Sequence, residues 1–291
     1  MKVGVFLAVG AANADPELLQ TAGREIEARG FESVWVAEHV VLFDDYDSNY
    51  PYSPDGRFPA GGDAGLVEPF VTLTYLAAVT EHLRLGTGIC LVPQRNPVYT
   101  AKQVVDLDTL SRGRVDFGVG AGWLREEFEA LGMPFERRGD RMREHIEVMK
   151  ALWSDEVSEY HGELYELRSC RMYPKPVQQP HPPIHVGGES DAAPRRVADF
   201  GQGWYSFNRG PDDLVSPLRR LDELVAERGR SRGDVMLSVC PYLQPVGPGM
   251  VDGYRERGVD RVIGLCLAFD RDTLLASLDQ LVTDLVEPAS R

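Results

Sequence analysis

Apolar and polar positions follow two alternating periods along the whole chain. Short runs rich in β-branched residues predict strands, and between them apolar residues recur every three or four positions, which predicts amphipathic helices. The predicted strands are 2–7, 33–37, 83–89, 114–119, 184–187, 204–207, 236–242 and 261–265. The predicted helices are 15–29, 69–82, 97–110, 137–153, 191–200, 212–228, 250–257 and 272–285.

Eight strands, each followed by helical sequence, favour an α/β fold of the eightfold barrel type, a (β/α)8 TIM barrel, over a doubly wound sheet. The helix at 137–153 has the clearest apolar stripe, with Met142, Ile146, Met149 and Trp153 on one face. No internal repeat or linker divides the sequence. We therefore predict a single domain over residues 1–291.

Two segments interrupt the alternation, at 42–68 and 157–180. Without them roughly 240 residues remain, close to the about 250 that are typical of such a barrel. We predict insertions after strands two and four, on the catalytic face, where they form pocket walls or lids. The first is too rich in aromatic residues for a disordered loop. Its Tyr50, Tyr52, Arg57 and Phe58 are predicted to contact substrate.

Composition narrows the possible partners. The 291 residues carry 31 Lys and Arg against 45 Asp and Glu, a net charge of −14, which disfavours nucleic acid because phosphate binding depends on basic side chains. No apolar run is long enough to span a membrane. The four cysteines are widely spaced, without a metal-binding pattern, and indicate reduced thiols in a cytoplasmic protein.

The start of the chain resembles a secretory signal, with Lys2, an apolar run and Ala12-Asn13-Ala14. Asp15-Pro16-Glu17 is better explained as a helix N-cap, a proline at the first helical position and an acidic first turn. We therefore interpret residues 2–7 as a core strand.

Glu38-His39 directly follows the second predicted strand. A parallel barrel strand is buried on both faces, so two ionisable residues fit only where the strand ends at the rim. A histidine there passes protons near neutral pH, and an adjacent carboxylate tunes or orients it. We predict His39 and Glu38 as catalytic; alternatively, Glu38 pairs with an arginine and His39 only closes the pocket floor.

Glycines weaken the third predicted strand at Gly86-Thr87-Gly88-Ile89. They indicate a bulge or the close approach of a ligand, and a tight barrel corner is an equal alternative. The run from Gly118 to Trp123, which includes Gly120, lacks the third glycine of a dinucleotide fingerprint. It is compatible with a backbone that a ligand approaches closely, and Trp123 is predicted to line the substrate pocket.

A third glycine-containing segment, Gly187-Gly188-Glu189-Ser190, joins a strand to a helix that contains Arg195 and Arg196. Backbone N–H groups at a helix N-terminus suit a phosphate, and Ser190 adds a hydroxyl donor. An ordinary strand-to-helix turn with a serine cap is the alternative.

Together these motifs resemble the bacterial luciferase-like monooxygenase superfamily, and more narrowly its branch of oxidoreductases that use the deazaflavin coenzyme F420. The motifs are WVAEHV at 35–40, YPYSPDGRFP at 50–59, YPKPVQ at 173–178, PPIHVGG at 182–188 and the run from 83 to 153. The resemblance covers nearly the whole chain. It implies an eightfold barrel with insertions that forms a homodimer.

The resemblance also implies roles for particular residues. Glu38 and His39 are expected beside a flavin or deazaflavin ring, with His39 exchanging the proton. Gly88 and Ile89, joined by a non-prolyl cis peptide, are expected to back that ring. Gly187 and Gly188, with Ser190 nearby, are expected to hold the cofactor phosphate. A known sugar-phosphate dehydrogenase of the superfamily has Asp where this chain has Glu38, which counts against that activity.

Three functions follow as hypotheses. The first is hydride transfer between F420 and a small organic substrate, and the second is an FMN-dependent monooxygenase that incorporates oxygen from O2. The third is a non-catalytic flavin-binding protein, since the fold alone does not dictate activity. A nicotinamide dehydrogenase is disfavoured by the strand count and by Trp123. Delivery of reduced cofactor by a separate reductase is a further possibility, and no metal is expected.

Overall fold

Eight parallel strands close into a ring in the computed structural model, which describes residues 1–291 apart from the side chain of Pro248. The ring closes where Lys2–Leu7 pairs with Arg261–Cys266, Lys2 lying opposite Arg261. In chain order the strands are β1 (Lys2–Leu7), β2 (Ser33–Val36), β3 (Arg84–Thr87), β4 (Val115–Gly120), β5 (Ile184–Gly187), β6 (Gly203–Phe207), β7 (Met236–Cys240) and β8 (Arg261–Cys266). The predicted TIM barrel is confirmed.

Helices cover the outside of the ring. They are Pro16–Ala28, Pro69–Ala77, Pro97–Leu110, Arg125–Ala130, Arg138–Ser154, Ala192–Phe200, Val215–Glu227, Pro248–Glu256 and Arg271–Leu281, followed by a π-helical turn at Val282–Val286 and a short helix at Glu287–Ala289. The first begins as predicted, with the Asp15 side chain accepting a hydrogen bond from the Leu18 N–H at 2.8 Å. Arg125–Ala130 was not predicted. No helix among the described residues is long and apolar enough to cross a membrane.

The third strand is interrupted, where an unbroken strand over 83–89 was predicted. It ends at Thr87, the Gly88–Ile89 peptide bond is cis, and pairing with β4 resumes at Cys90–Leu91. Both parts hydrogen-bond to the same neighbour. The interruption is therefore a bulge within one strand of the barrel, as the glycines indicated.

Glycines on the inner face make room for a tryptophan in the barrel. Trp35 is completely buried, and a Cβ atom on Gly86 would lie 2.3 Å from its Cδ2 atom. Phe6, Tyr205, Cys240 and Ile263 complete the buried cluster around it. These large side chains fill the inside of the barrel at this level. Two of them, Phe6 and Tyr205, form the floor of the open space at the mouth.

A buried charge network lies among the first residues of several strands. The Arg261 guanidinium, only 1% exposed, lies 2.9 Å from the Asp116 carboxylate and 2.7 Å from that of Glu32. Arg84 also pairs with Asp116. Burial alone would raise the pKa of Asp116, but Arg261, His185 and Arg84 hold that pKa well below its usual value.

The segment 157–180 does not form a wall of the catalytic pocket, which corrects the sequence-based prediction. It holds an antiparallel hairpin, Ser158–His161 with Glu166–Cys170, and the Gln178 amide donates to the Val115 carbonyl at the start of β4, at 2.8 Å. The helix Arg138–Ser154 begins at the cavity, which Arg138 lines, and leads back toward the other end of the barrel before the insertion begins.

We predict that Asp116→Asn lowers the free energy of unfolding by roughly 3–5 kcal/mol at pH 7, because it removes one partner from a buried ion pair. The depressed pKa of Asp116 stabilises the fold at any pH above about 3.9, the usual pKa of Asp in an unfolded chain. That contribution is lost as the pH falls from this value toward the lower pKa of the folded state. The difference between wild type and variant should therefore shrink below pH 4. Urea unfolding across pH measures this.

The matched control is Asp279→Asn, which breaks the pair between Asp279 and Arg29 at the surface, where the Asp279 side chain is 67% exposed. It should cost less than about 1 kcal/mol. Equal losses for the two variants would contradict the special role of the buried network.

Candidate active site

A cavity of about 1190 Å³ opens at the carboxyl ends of the strands. Its volume exceeds the roughly 300–1,000 Å³ typical of a site for one small ligand, so it has room for a cofactor and a substrate side by side. Strand ends, the segment 42–68 and several strand-to-helix turns line it. This is the end at which barrel enzymes carry their chemistry.

His39 lies in this cavity directly after β2, where the sequence analysis expected it. Its ring is 9% exposed. The Nδ1 atom is 2.9 Å from Oε2 of Glu127, and the Trp123 indole N–H donates to Nε2 at 3.3 Å. The imidazole is therefore held at both nitrogen atoms.

These partners fix the protonation of the neutral ring. A carboxylate only accepts and an indole N–H only donates. Nδ1 of His39 must therefore carry the hydrogen toward Glu127, while Nε2 offers its lone pair to Trp123. His39 can take up a proton at Nε2, and Glu127 would stabilise the resulting cation.

Glu127 is the functional residue that sequence reasoning missed. It is completely buried in the short helix Arg125–Ala130, and its Oε1 atom also accepts from the Val40 N–H at 2.6 Å. The neighbouring Glu126 accepts from the Ser48 N–H and hydroxyl, at 3.2 and 2.7 Å. This short helix therefore orients His39 and holds the insertion 42–68. The only clue in the sequence was an acidic pair shortly after Trp123.

Glu38 also lines the cavity, and its partners show a structural role, while its catalytic role stays a prediction. One carboxylate oxygen pairs with the Arg95 guanidinium, and the other accepts from the Leu91 N–H at 2.6 Å. Burial raises the pKa of the Glu38 carboxyl, against the opposing charge of Arg95. Both oxygens are engaged, so Glu38 holds the second half of the bulged strand in place. The alternative of an arginine partner is the one that the structure shows.

The bulge places Ile89 on the cavity surface. A Cβ atom on Gly120 would lie 1.7 Å from the Ile89 Cδ1 atom, and one on Gly187 would lie 2.9 Å from Cγ2. Gly120 does not line the cavity, which corrects its prediction as a ligand contact; it makes space behind Ile89. Tyr205 lies below Gly88, and its hydroxyl has no hydrogen-bond partner among the described side chains.

A positively charged group of residues lines the cavity at the ends of β4 and β5. We name Arg138, Arg196, Gly188 and Ser190 the anion site. Neither guanidinium forms an ion pair within the described part of the chain, and burial together with the charge of Arg138 lowers the pKa of Arg196. A Cβ atom on Gly139 would lie 2.4 Å from Arg196, so this glycine admits the guanidinium. Two like charges held close together favour an anionic ligand between them.

Backbone groups add to this field. Gly139 lies in the first turn of the helix Arg138–Ser154, whose N-terminus has no side-chain cap, and Ser190 precedes the helix Ala192–Phe200. Helix N-termini carry partial positive charge and free N–H donors. The Glu189 carboxyl between Gly188 and Ser190 is occupied by the Phe207 N–H at 2.7 Å and Arg209 at 2.9 Å. Burial raises the pKa of Glu189 to about 6.

A continuous row of aromatic rings covers the mouth. We name this row the aromatic wall, and its members are Phe58, Trp123, Tyr50, Tyr52, Phe207 and Tyr242. Each ring contacts the next, with centroid separations between 4.5 and 6.4 Å. Arg57 was predicted to contact substrate, but it lies outside the cavity. Its guanidinium donates to the Tyr46 carbonyl at 2.8 Å and stacks on the Tyr46 ring. Among the described residues no cluster of His, Cys, Asp or Glu suits a metal ion.

A barrel with a hydrogen-bonded histidine, an anion site and an apolar wall around one cavity is typical of a cofactor-dependent enzyme. The model of the luciferase-like monooxygenase family matches residues 1–245. The chain belongs to this family of oxidoreductases.

Individual relatives agree with this assignment. An uncharacterised protein of Mycobacterium tuberculosis is 37% identical over 205 residues, 70% of each chain. The FMNH2-dependent dimethylsulfone monooxygenase of Pseudomonas putida is 36% identical over 191 residues, which cover 64% of this chain and 52% of that enzyme.

Solved structures show the same fold at low sequence identity. A monooxygenase from Streptomyces bottropensis superposes with a TM-score of 0.78 and 20% identity, covering 99% of both chains. An F420-dependent secondary alcohol dehydrogenase, solved with an F420–acetone adduct, gives a TM-score of 0.75 with 18% identity, covering 100% of this chain and 99% of that one.

We predict that Gly120→Ala lowers the free energy of unfolding by about 1–3 kcal/mol, because the added methyl group displaces Ile89 from a close-packed position. In an Ile89→Ala background the same substitution should cost less than about 0.5 kcal/mol, since the displaced atoms are gone. A double-mutant cycle in urea measures both values. Gly233→Ala, where the nearest atom is 3.6 Å away, is the control. Equal costs in the two backgrounds would refute the packing role.

Proposed function

We propose that this protein is an oxidoreductase that transfers a hydride between the deazaflavin coenzyme F420 and a small organic substrate. The observation that carries the proposal is that one cavity holds both an unneutralised anion site and a histidine, His39, whose Nδ1 atom is held by Glu127. Its Nε2 atom, hydrogen-bonded to the Trp123 indole, is therefore the one that exchanges a proton with a bound substrate. The anion site suits a phosphorylated cofactor. The histidine supplies the proton that must accompany a hydride.

The residues present fit such a cofactor. Arg138, Arg196, Ser190 and the Gly187-Gly188 backbone would hold its phosphate, since guanidinium groups and N–H donors are the usual partners of that group. Gly88 and Ile89 would support the flat ring, and the glycines behind Ile89 keep that surface in place. When bound, the cofactor supplies or accepts a hydride at one ring carbon, whereas the barrel supplies orientation.

His39 handles the proton of the substrate. When a hydroxyl group is oxidised, Nε2 of His39 takes the proton from oxygen as the C–H hydride departs. In the reverse direction the imidazolium returns that proton to the oxygen of a carbonyl as hydride reaches carbon. Glu127 keeps the exchange at Nε2 because it occupies Nδ1 in both states. The aromatic wall excludes water and holds the substrate against the ring.

FMN-dependent oxygenation is the second candidate, because the relative in Pseudomonas putida is an FMNH2-dependent monooxygenase. The same anion site suits the FMN phosphate. The two proposals differ in their need for O2, which provides a direct test. The homodimer and a separate reductase stay predictions.

We predict that His39→Ala lowers kcat by about 10²–10⁴-fold, the usual contribution of a positioned acid–base group, while the Kd of each cofactor changes less than about threefold. Turnover is followed for ketones with reduced F420, for alcohols with oxidised F420, and for both with FMNH2, each with and without O2. Reaction with F420 under anaerobic conditions supports the proposal, whereas reaction that needs FMNH2 and O2 supports the second candidate.

The surface variant His161→Ala serves as the control, because this exposed histidine is paired with Glu166 in the hairpin and does not line the cavity. It should leave kcat unchanged. Wild-type turnover in the His39→Ala protein would reject the role of this residue. Tight cofactor binding without reaction in any condition would favour the non-catalytic alternative.

We predict that Arg196→Gln weakens binding of FMN and F420 by about 10–100-fold, because it removes a charge-assisted hydrogen bond. Binding of riboflavin and of the dephosphorylated deazaflavin should change little. Fluorescence titration at two salt concentrations measures both effects, and the wild-type difference between phosphorylated and dephosphorylated forms should shrink at high salt. The exposed neighbour Arg195→Gln is the matched control. An equal loss for riboflavin would show that Arg196 supports the fold and not the phosphate.

A further inference from the structure

The apolar lining of the cavity continues outward to the solvent. Three large side chains at the ends of β7 and β8 line the cavity and are nevertheless more than half exposed. We name them the apolar rim: Leu243 at 57%, Leu267 at 53% and Phe269 at 58%. Exposed apolar side chains grouped at the edge of a cavity mark a binding surface more often than isolated ones do.

The aromatic wall connects this rim to His39. The His39 ring lies 5.4 Å from Phe58 and 5.7 Å from Trp123 at one end of the wall. At the other end the Tyr242 ring lies 4.5 Å from Phe207, and Tyr242 is followed directly by Leu243 of the rim. An apolar track therefore runs from the proton-exchanging nitrogen to the outside.

Barrel topology separates the apolar rim from the anion site. Arg138 and Ser190 follow β4 and β5, whereas the rim follows β7 and β8. In a closed ring of eight strands, β4 lies opposite β8. A phosphorylated cofactor bound at the anion site therefore leaves the rim side of the mouth to the second ligand.

The track carries little net charge. The charged residues that line the cavity outside the anion site are paired with a cation or an N–H donor, or lie at its exposed edge. Glu189 pairs with Arg209 and Glu38 with Arg95, while the exposed Asp213 accepts from the Gly210 N–H at 2.9 Å. A charged substrate would lose its hydration along this track without gaining a partner.

We infer that the second ligand is an uncharged molecule with one carbonyl or hydroxyl group and an apolar body, which extends from His39 along the aromatic wall to the apolar rim. The position of the reacting oxygen rests on the proposed function. The apolar character of the body rests only on the track and the rim. The proposal assigns the rim to substrate length, so it concerns specificity and not the chemical step.

The probes are straight-chain 2-alkanones of increasing length and fatty carboxylates with the same carbon numbers. Their Kd is measured by quenching of tryptophan fluorescence in the full-length protein, with and without bound cofactor. We expect the Kd of the ketones to fall by up to about fourfold for each buried CH2 group. When the phosphorylated cofactor fills the anion site, the carboxylates should bind at least about tenfold more weakly than ketones of equal length.

Two variants test the rim. Leu267→Ser and Phe269→Ser change exposed side chains, so the fold should persist. Each should raise the Kd of the longest ketones by about three- to tenfold and leave the Kd of the shortest unchanged. The control is Leu110→Ser, which alters a side chain that is 68% exposed and lies outside the cavity. It should change the Kd of neither the longest nor the shortest ketones.

Affinity that does not depend on chain length, carboxylates that bind the cofactor-loaded protein as tightly as ketones do, or no binding of any ketone would overturn the inference. These measurements do not depend on turnover. Length-dependent binding without any hydride transfer would reject the proposed function and leave the apolar track supported. Turnover of short, charged substrates by hydride transfer would support the proposed function and reject the apolar track as the substrate site.

Discussion

The hydrogen bond between His39 and Glu127 joins parts of the chain that are far apart in sequence. It connects the end of β2 to the short helix after β4, and the same carboxylate accepts from the backbone that begins the insertion 42–68. A buried carboxylate must satisfy its oxygen atoms, so its partners are fixed in place. The orientation of the His39 ring, its contact with Trp123 and the path of the chain into the insertion all depend on this single group.

Close packing sets the floor of the cavity in a similar way. Ile89 reaches the surface because Gly120 and Gly187 leave space behind it, and Glu38 holds the strand on its far side through Arg95 and Leu91. These residues do their work without contacting a ligand. Two glycines without side chains, Gly120 and Gly187, therefore leave room for Ile89, and the ion pair between Glu38 and Arg95 holds the strand that carries it.

Electrostatics and topology divide the mouth into two halves. Arg138 and Arg196 concentrate positive charge at β4 and β5, although the chain as a whole carries a net charge of −14. Across the ring the rim is apolar, and the aromatic wall runs from the rim back to Trp123 beside β4. One cavity therefore has a cationic side and an apolar side, and this division follows from the order of strands in a closed barrel.

The sequence by itself determined the barrel, because eight short apolar runs separated by helical periods are local patterns that record which residues face the core. It also determined the position of His39 and the glycine break in β3, since a buried parallel strand tolerates such residues only at its end or at a bulge. Tertiary structure alone decided the partners. These partners are distant in sequence, and no local period records their contacts: Glu127 with His39, Arg95 with Glu38, Ile89 with Gly120, and Arg196 with Gly139. The role of the insertion 157–180 as a pocket wall was wrong for the same reason, since only the packed structure shows that the helix Arg138–Ser154 leads the chain away from the cavity before the insertion begins.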